Sequence, residues 1–354
     1  VDGVIALKTQ GGCGVEPGGP MQLIQRTLGN MARHPNISGY VMIGLGCEDN
    51  QIQGIREDYD LDNLQEGEIE PEFMTIQGSG GSLKTIEAAT RAVEDILPKV
   101  ADLRRTKQPL SKLILAENCG GSDGNSGCTA NPALGVASDE LVKHGGTSVL
   151  AETTEIYGAE HLLTRRAATH EIGEQIVELI HWWEDYASRF GAEIDNNPSP
   201  GNKLGGLTTI YEKSLGAIAK GGLSPLSAVY RYAEKIDKPG FGFMDTPGYD
   251  PPSVTGMVAG GCNVAVFTTG RGSVFGCKPT PCIKIATNTD LYNRMPDDMD
   301  INAGTFMDGT ESLQEVGMKI FEKIIAVAGG EQTKSEIHGI GDEEFVPWDI
   351  GPTL

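Results

Sequence analysis

Leu113-Ile114-Leu115 followed by AENCGGSDGNSGCTANPALG, residues 116–135, is an apolar run that breaks into a turn holding two cysteines, an aspartate, three asparagines, three hydroxyl side chains and five glycines. Strands buried in a parallel sheet read as short apolar runs, and the polar turn at their carboxyl end is where open α/β sheets expose backbone amides to a ligand. The stretch reads as a strand, a ligand-binding turn, and a helix over 133–144 with apolar residues at three- and four-residue spacing.

The pattern recurs. Short apolar runs at 4–7, 40–45, 73–76, 148–150, 240–244, 264–267 and 282–286 predict further strands. Helical periodicity at 21–33, 83–97, 170–190, 206–219, 226–234 and 312–328 fills most of the intervals. Alternation of this kind predicts an α/β protein with a mostly parallel sheet. The charged segment 99–109 marks the clearest change of composition, which divides the chain into a smaller α/β unit, 1–105, and a larger one, 106–354.

Composition narrows the function. The 354 residues are 39% hydrophobic and 22% charged, ordinary for a globular protein, and the 48 glycines imply many tight turns. A formal charge of −21 argues against nucleic acid, whose affinity rests on Lys and Arg neutralising phosphates. An anionic substrate would need a local basic cluster. No apolar run approaches the roughly 20 residues of a membrane span, and no signal peptide opens the chain, so a soluble, cytoplasmic protein is expected. Seven cysteines, at 13, 47, 119, 128, 262, 277 and 282, suit a reducing compartment and contain no CxxC pair. The chain starts at Val1 without methionine and reads as a fragment or a processed chain.

Cys13, Cys47 and Cys119 each sit in a glycine-rich turn after a strand, where a thiol faces a ligand more readily than a core; Cys128, Cys262, Cys277 and Cys282 fit a buried role. AETTEIYGAEHLLTRRA, 151–167, offers Glu152, Glu155 and His161 as metal ligands and arginines for a carboxylate, although acids in a first helical turn followed by bases are also ordinary helix chemistry. DNNPSPGNKLGGLTT, 195–209, brings Asn196, Asn202 and Lys203 to a polar loop; a turn with an N-cap is the simpler reading. The loops at 244–261 and 267–277 repeat the design. Convincing nucleotide and nucleophile-elbow motifs are absent, which weakens dehydrogenase, kinase and esterase readings.

GLGCEDNQI, CGGSDGNSGCTANPALG, ETTEIYGAEHLLTRRA, NNPSPGNKLGGLTTIYEKSLGAIAKGG, FMDTPGYDPPSVTGMVAGG, FTTGRGS, ATNTDLYNRMPDDMDINAGT and EFVPWDIG together resemble the altronate dehydratase and galactarate dehydratase family of sugar-acid hydro-lyases. The resemblance covers nearly the whole chain. It implies a large Rossmann-like catalytic domain, a middle domain that serves as a dimer interface, and a β-clip domain that is a separate subunit, as in the related two-subunit sulfolactate sulfo-lyases, or is missing from this chain. It also implies iron-dependent loss of water from a sugar acid to give a 2-keto-3-deoxy acid. The cofactor would be Fe²⁺, or Mn²⁺ in its place, or an iron–sulfur cluster on three thiolates.

TPGYD and YGAEHLL resemble the altronate branch, whereas MDINAGT carries Ala303 where the family usually has cysteine, as galactarate-type sequences do. Altronate is the first substrate expected, with galactarate dehydratase and a sulfolactate sulfo-lyase large subunit as the alternatives. On these grounds the expected catalytic residues are Cys119, Asp123, His161 and Lys203. Ser122, Arg165, Asn196, Asn202, Tyr249, Asp250 and Arg271 are expected to bind substrate. Cys13, Cys47, Cys119, Glu152, Glu155 and His161 are the metal-ligand candidates, and the protein is expected to be a homodimer that engages neither nucleic acid nor membrane.

Overall fold

The computed structural model describes residues 3–9, 12–14, 18–65 and 67–350. The strands are β1 (Val41–Gly44), β2 (Glu72–Thr75), β3 (Ile114–Cys119), β4 (Thr147–Leu150), β5 (Leu226–Tyr230), β6 (Gly240–Met244), β7 (Val264–Thr269), β8 (Cys282–Ala286) and β9 (Ile301–Asn302). β1 and β2 pair in parallel as a small sheet. The other seven form one parallel sheet in the order β5-β6-β4-β3-β7-β8-β9. From β3 the chain winds outward through β4, then returns to β7 and winds the other way. The turns after β3 and β7 therefore part at a topological switch point, where doubly wound sheets bind ligands.

Alternation along the strands fills both faces. Leu115, Val264, Val266, Ile283 and Ile285 pack beneath the helices Ala130–Lys143 and Leu313–Ala328. Ala116, Val149, Ala265 and Phe267 face a second core containing Val254, Met257, Trp183 and Trp348. The helix Gly19–Ala32 covers part of this face, lying against the helix Asp250–Ala259 and donating from Arg26 and Asn30 to the carbonyls of Tyr232 and Ala233.

Three local expectations are corrected. Residues 226–234, expected to be helical, form β5 and a turn: burial alternates along Leu226–Tyr230 with the period of a strand packed on one face. The run at 4–7 is irregular among the described residues. The loop expected after 244 contains the helix Asp250–Ala259, whose first turn accepts Pro251 and Pro252 because the early N–H groups have no partner within a helix. Every residue from Pro252 to Ala259 is buried, so no amphipathic period announces it.

Candidate metal and acid–base centre

The carboxyl ends of β3 and β4 deliver the centre. Cys119 ends β3, and Glu152 and Glu155 follow β4; one ligand atom from each lies within 4.8 Å of the others. All three are buried. Glu152 adopts φ +70°, a left-handed conformation costly for a residue with a Cβ, and is held there by its N–H to Thr246 Oγ1 at 2.9 Å and by Thr153 N–H to the Thr246 carbonyl at 3.0 Å. Thr153 Oγ1 and Trp183 Nε1 both donate to Asp245 Oδ1, at 2.6 and 2.8 Å, which fixes the same segment from below.

Two lysines close over the acids. Lys220 Nζ donates to Cys119 Sγ at 3.0 Å and lies 3.9 Å from Glu152 Oε2. Lys213 pairs with Glu155 Oε1, which also accepts from Asn197 Nδ2 at 3.3 Å. Cys119 Sγ lies 3.6 Å from Glu155 Oε2. Asp250, half-buried at the start of its helix, accepts from Asn118 Nδ2 at 3.3 Å. A Cβ on Gly120 would strike the Asp250 carboxylate, so that glycine is what admits the aspartate to the floor of the site. A cavity of about 10 Å³ beside Cys119, Ser122 and Lys213 holds one water at most.

Burial governs the titration. It lifts the Cys119 thiol to about 11, with Lys220 opposing and the two glutamates reinforcing. Burial and the Glu155 anion raise Glu152 well above the carboxylate range. Asp250 is lifted to about 7 by burial and Glu155, against Lys213 and Lys220. For both lysines burial works toward the neutral amine, but the anionic neighbours outweigh it and leave them above their usual value, Cys119 foremost for Lys220 and Glu155 for Lys213.

Both carboxylate oxygens of Glu152 are buried without a hydrogen-bond partner. Leaving a buried acceptor unsatisfied costs about 1–3 kcal/mol, more when it is charged. A divalent cation would satisfy it, and a thiolate with two carboxylates suits a borderline transition metal.

The remaining candidates are spread around this centre. Asp123 is buried and accepts from Ser126, Thr287, Asn288 and the Asn125 N–H, tying together the loops after β3 and β8. Asn202 Oδ1 accepts from the N–H of the helix cap Ser199, and Asn202 Nδ2 donates to the Ser122 carbonyl at 2.8 Å. His161 is half-buried on the short helix His161–Thr164 and is not part of the three-ligand group. Lys203, Arg165, Asn196, Tyr249 and Arg271 are exposed, with Arg271 anchored at the switch point by its N–H to the Gly121 carbonyl. Cys13 and Cys47 touch each other in the small unit, both exposed, and do not join the group at Cys119. Cys128, read as core, is exposed because the turn before the helix Ala130–Lys143 faces outward; Cys262, Cys277 and Cys282 are buried.

Sequence reasoning missed Lys213 and Lys220. They are seven residues apart, two turns on one face, in an apolar segment of an acidic chain. Within the 195–209 polar loop it is Asn197, rather than its exposed neighbour Asn196, that reaches Glu155.

The sheet is that of a doubly wound α/β protein, and Cys119, Glu152 and Glu155 at the carboxyl ends of β3 and β4 form a group able to hold a metal ion. The chain belongs to the D-galactarate/altronate dehydratase family: residues 110–353 match the C-terminal family model and residues 1–101 match the second-domain model of D-galactarate dehydratase/altronate hydrolase. It is 42% identical over 311 residues to galactarate dehydratase (L-threo-forming) of Escherichia coli, covering 87% of this chain and 59% of that protein. It is 37% identical over 354 residues to altronate dehydratase of Bacillus subtilis, covering 100% and 69%. It is 32% identical over 334 residues to the (2R)-sulfolactate sulfo-lyase subunit beta of Chromohalobacter salexigens, covering 93% and 83%. Relative to the galactarate dehydratase, then, the chain spans less than two thirds of the full length. No helix among the described residues is long and apolar enough to cross a membrane.

Proposed function

We propose that this chain carries the catalytic centre of a metal-dependent hydro-lyase that converts a sugar acid of altronate type to a 2-keto-3-deoxy acid. The observation that carries the reading is the Glu152 carboxylate, whose buried oxygens accept no hydrogen bond, beside Cys119 and Glu155 and ringed by Lys213, Lys220 and Asp250. Fe²⁺ held by Cys119, Glu152 and Glu155 would supply Lewis acidity toward the substrate oxygens.

The chain's own groups provide the proton transfers. Asp250, with its carboxyl near 7, is poised to take the proton α to the substrate carboxylate. Lys213 borders the cavity and is placed to give a proton to the departing β-hydroxyl, so that water leaves and the enol product tautomerises to the keto acid. Arg271 at the switch point suits a substrate carboxylate.

The reduced protein with Fe²⁺ under anaerobic conditions should form a 2-keto-3-deoxy acid from altronate; product from galactarate alone would move the substrate, sulfite from sulfolactate would move the leaving group, and no product from an aldonate and aldarate panel would refute the reading. A second metal form is favoured by the touching pair Cys13 and Cys47, which could join Cys119 on an iron–sulfur cluster if the units approach. Acid-labile sulfide separates it from the mononuclear iron proposed here. A division near residue 105 is proposed with the smaller unit as a homodimer interface, because Ile43, Leu45, Leu83 and Ile86 are exposed there. The β-clip part would be a further segment or a separate subunit.

A further inference from the structure

Lys220 is a fully buried cation on the short turn Ala219–Gly221, which is followed by Gly222 at φ +55°. That turn is clamped from two sides. Asp139, on the helix Ala130–Lys143, accepts the N–H groups of Leu223 and Ser224 at 2.9 and 2.8 Å. Arg166 takes the carbonyls: Nη1 donates to Gly221 and Ser224, each at 3.1 Å, and to Gly222. Its guanidinium carbon sits 4.5 Å above the ring of Phe241, a fully buried residue of β6.

Arg166 also belongs to the segment that brings the acids to the centre. That segment leaves β4 through Glu152 and Glu155 and ends where the Arg166 carbonyl accepts Leu226 N–H at 2.9 Å and the Leu226 carbonyl accepts Ala168 N–H at 2.9 Å. One side chain therefore joins the stretch bearing the two glutamates to the turn bearing the ammonium. Its neighbour Arg165, expected to bind substrate, is exposed.

We propose that Arg166 is a positioning residue of the reaction, acting through Lys220: it sets the ammonium against Cys119 and Glu152 and thereby fixes the charge around the metal-type centre. The guanidinium suits this because Nη1 reaches the carbonyls of the turn while its plane lies on the Phe241 ring, a stacking that a lysine ammonium does not reproduce; Nη2 is buried and donates to no partner. The inference rests on the hydro-lyase reading for its rate consequence, but the placement of Lys220 is independent of which reaction occurs.

Two measurements test it. In a metal-free crystal structure of Arg166→Met, Lys220 Nζ should leave Cys119 Sγ by about 1 Å or more; an unmoved lysine overturns the proposal. In steady-state assays Arg166→Lys and Arg166→Ala should lose about 100-fold in kcat, the scale of an ångström misplacement, with KM changed less than about threefold. Guanidinium ion at millimolar concentration should restore part of the Arg166→Ala rate, and methylammonium should not. Loss in proportion to a lowered Tm, without rescue by guanidinium, would overturn the positioning role and leave a structural one. If wild type makes no keto acid, the hydro-lyase reading falls while the crystallographic test still decides the placement.

Discussion

His34 ties the end of the helix Gly19–Ala32 to the large sheet and should make the protein acid-labile over a defined window. It is 3% exposed; its Nε2 lies 3.0 Å from the Cys262 carbonyl, and Asn36 N–H donates to Nδ1 at 3.1 Å. Because Nδ1 accepts, the neutral ring carries its proton on Nε2, and a second proton would face the Asn36 N–H. Burial lowers the pKa from 6.5 to about 4, with the bond to Cys262 opposing. Above 6.5 the ring is neutral folded or unfolded and titration costs nothing. As pH falls from 6.5 toward 4 the unfolded chain takes up a proton that the native state refuses, so stability drops; below 4 both are protonated and the loss stays constant. The loss is about 2 kcal/mol at pH near 5 and roughly 3 kcal/mol in full. His34→Gln keeps an amide donor for Cys262 and cannot titrate. Urea unfolding of both proteins near pH 7.5 and near pH 5 should therefore show wild type losing about 2 kcal/mol more than the variant on acidification. Equal acid losses would refute the reasoning.

Asp123→Asn should lower Tm and turnover together, because an amide would set a donor against Thr287, Ser126 and Asn288; hydrogen bonds to a charged group are worth about 1.5–3 kcal/mol each. Full stability with lost turnover would return Asp123 to a direct part in the chemistry. For Glu152→Gln, the rise in Tm on adding Fe²⁺ or Mn²⁺ should vanish, because the carboxylate whose oxygens accept no hydrogen bond is the proposed ligand. A retained rise, measured by calorimetry, would exclude Glu152 as a ligand.

Much of this was legible before any coordinates. Short apolar runs ending in glycine-rich turns follow from the local demands of buried parallel strands, and they marked β3, β4, β6, β7 and β8 together with Cys119, Glu152 and Glu155 at their carboxyl ends. Local pattern failed where burial is not local. β5 has two apolar residues flanking Ser227 and reads equally as a helix turn until its pairing with β6 is known. The helix Asp250–Ala259 is buried on every side and so has no period to read. Asp123 has the composition of a ligand, yet its oxygens are consumed by a hydroxyl and an amide more than 160 positions along the chain. Lys213 and Lys220 look like solvated charges of an amphipathic helix; only the convergence of that helix on the ends of β3 and β4 supplies the anions that make two buried ammonium groups tolerable. Side-chain type and spacing are properties of the chain, but whether a charge is paired, and with what, depends on which distant segments the fold brings within a few ångströms of it.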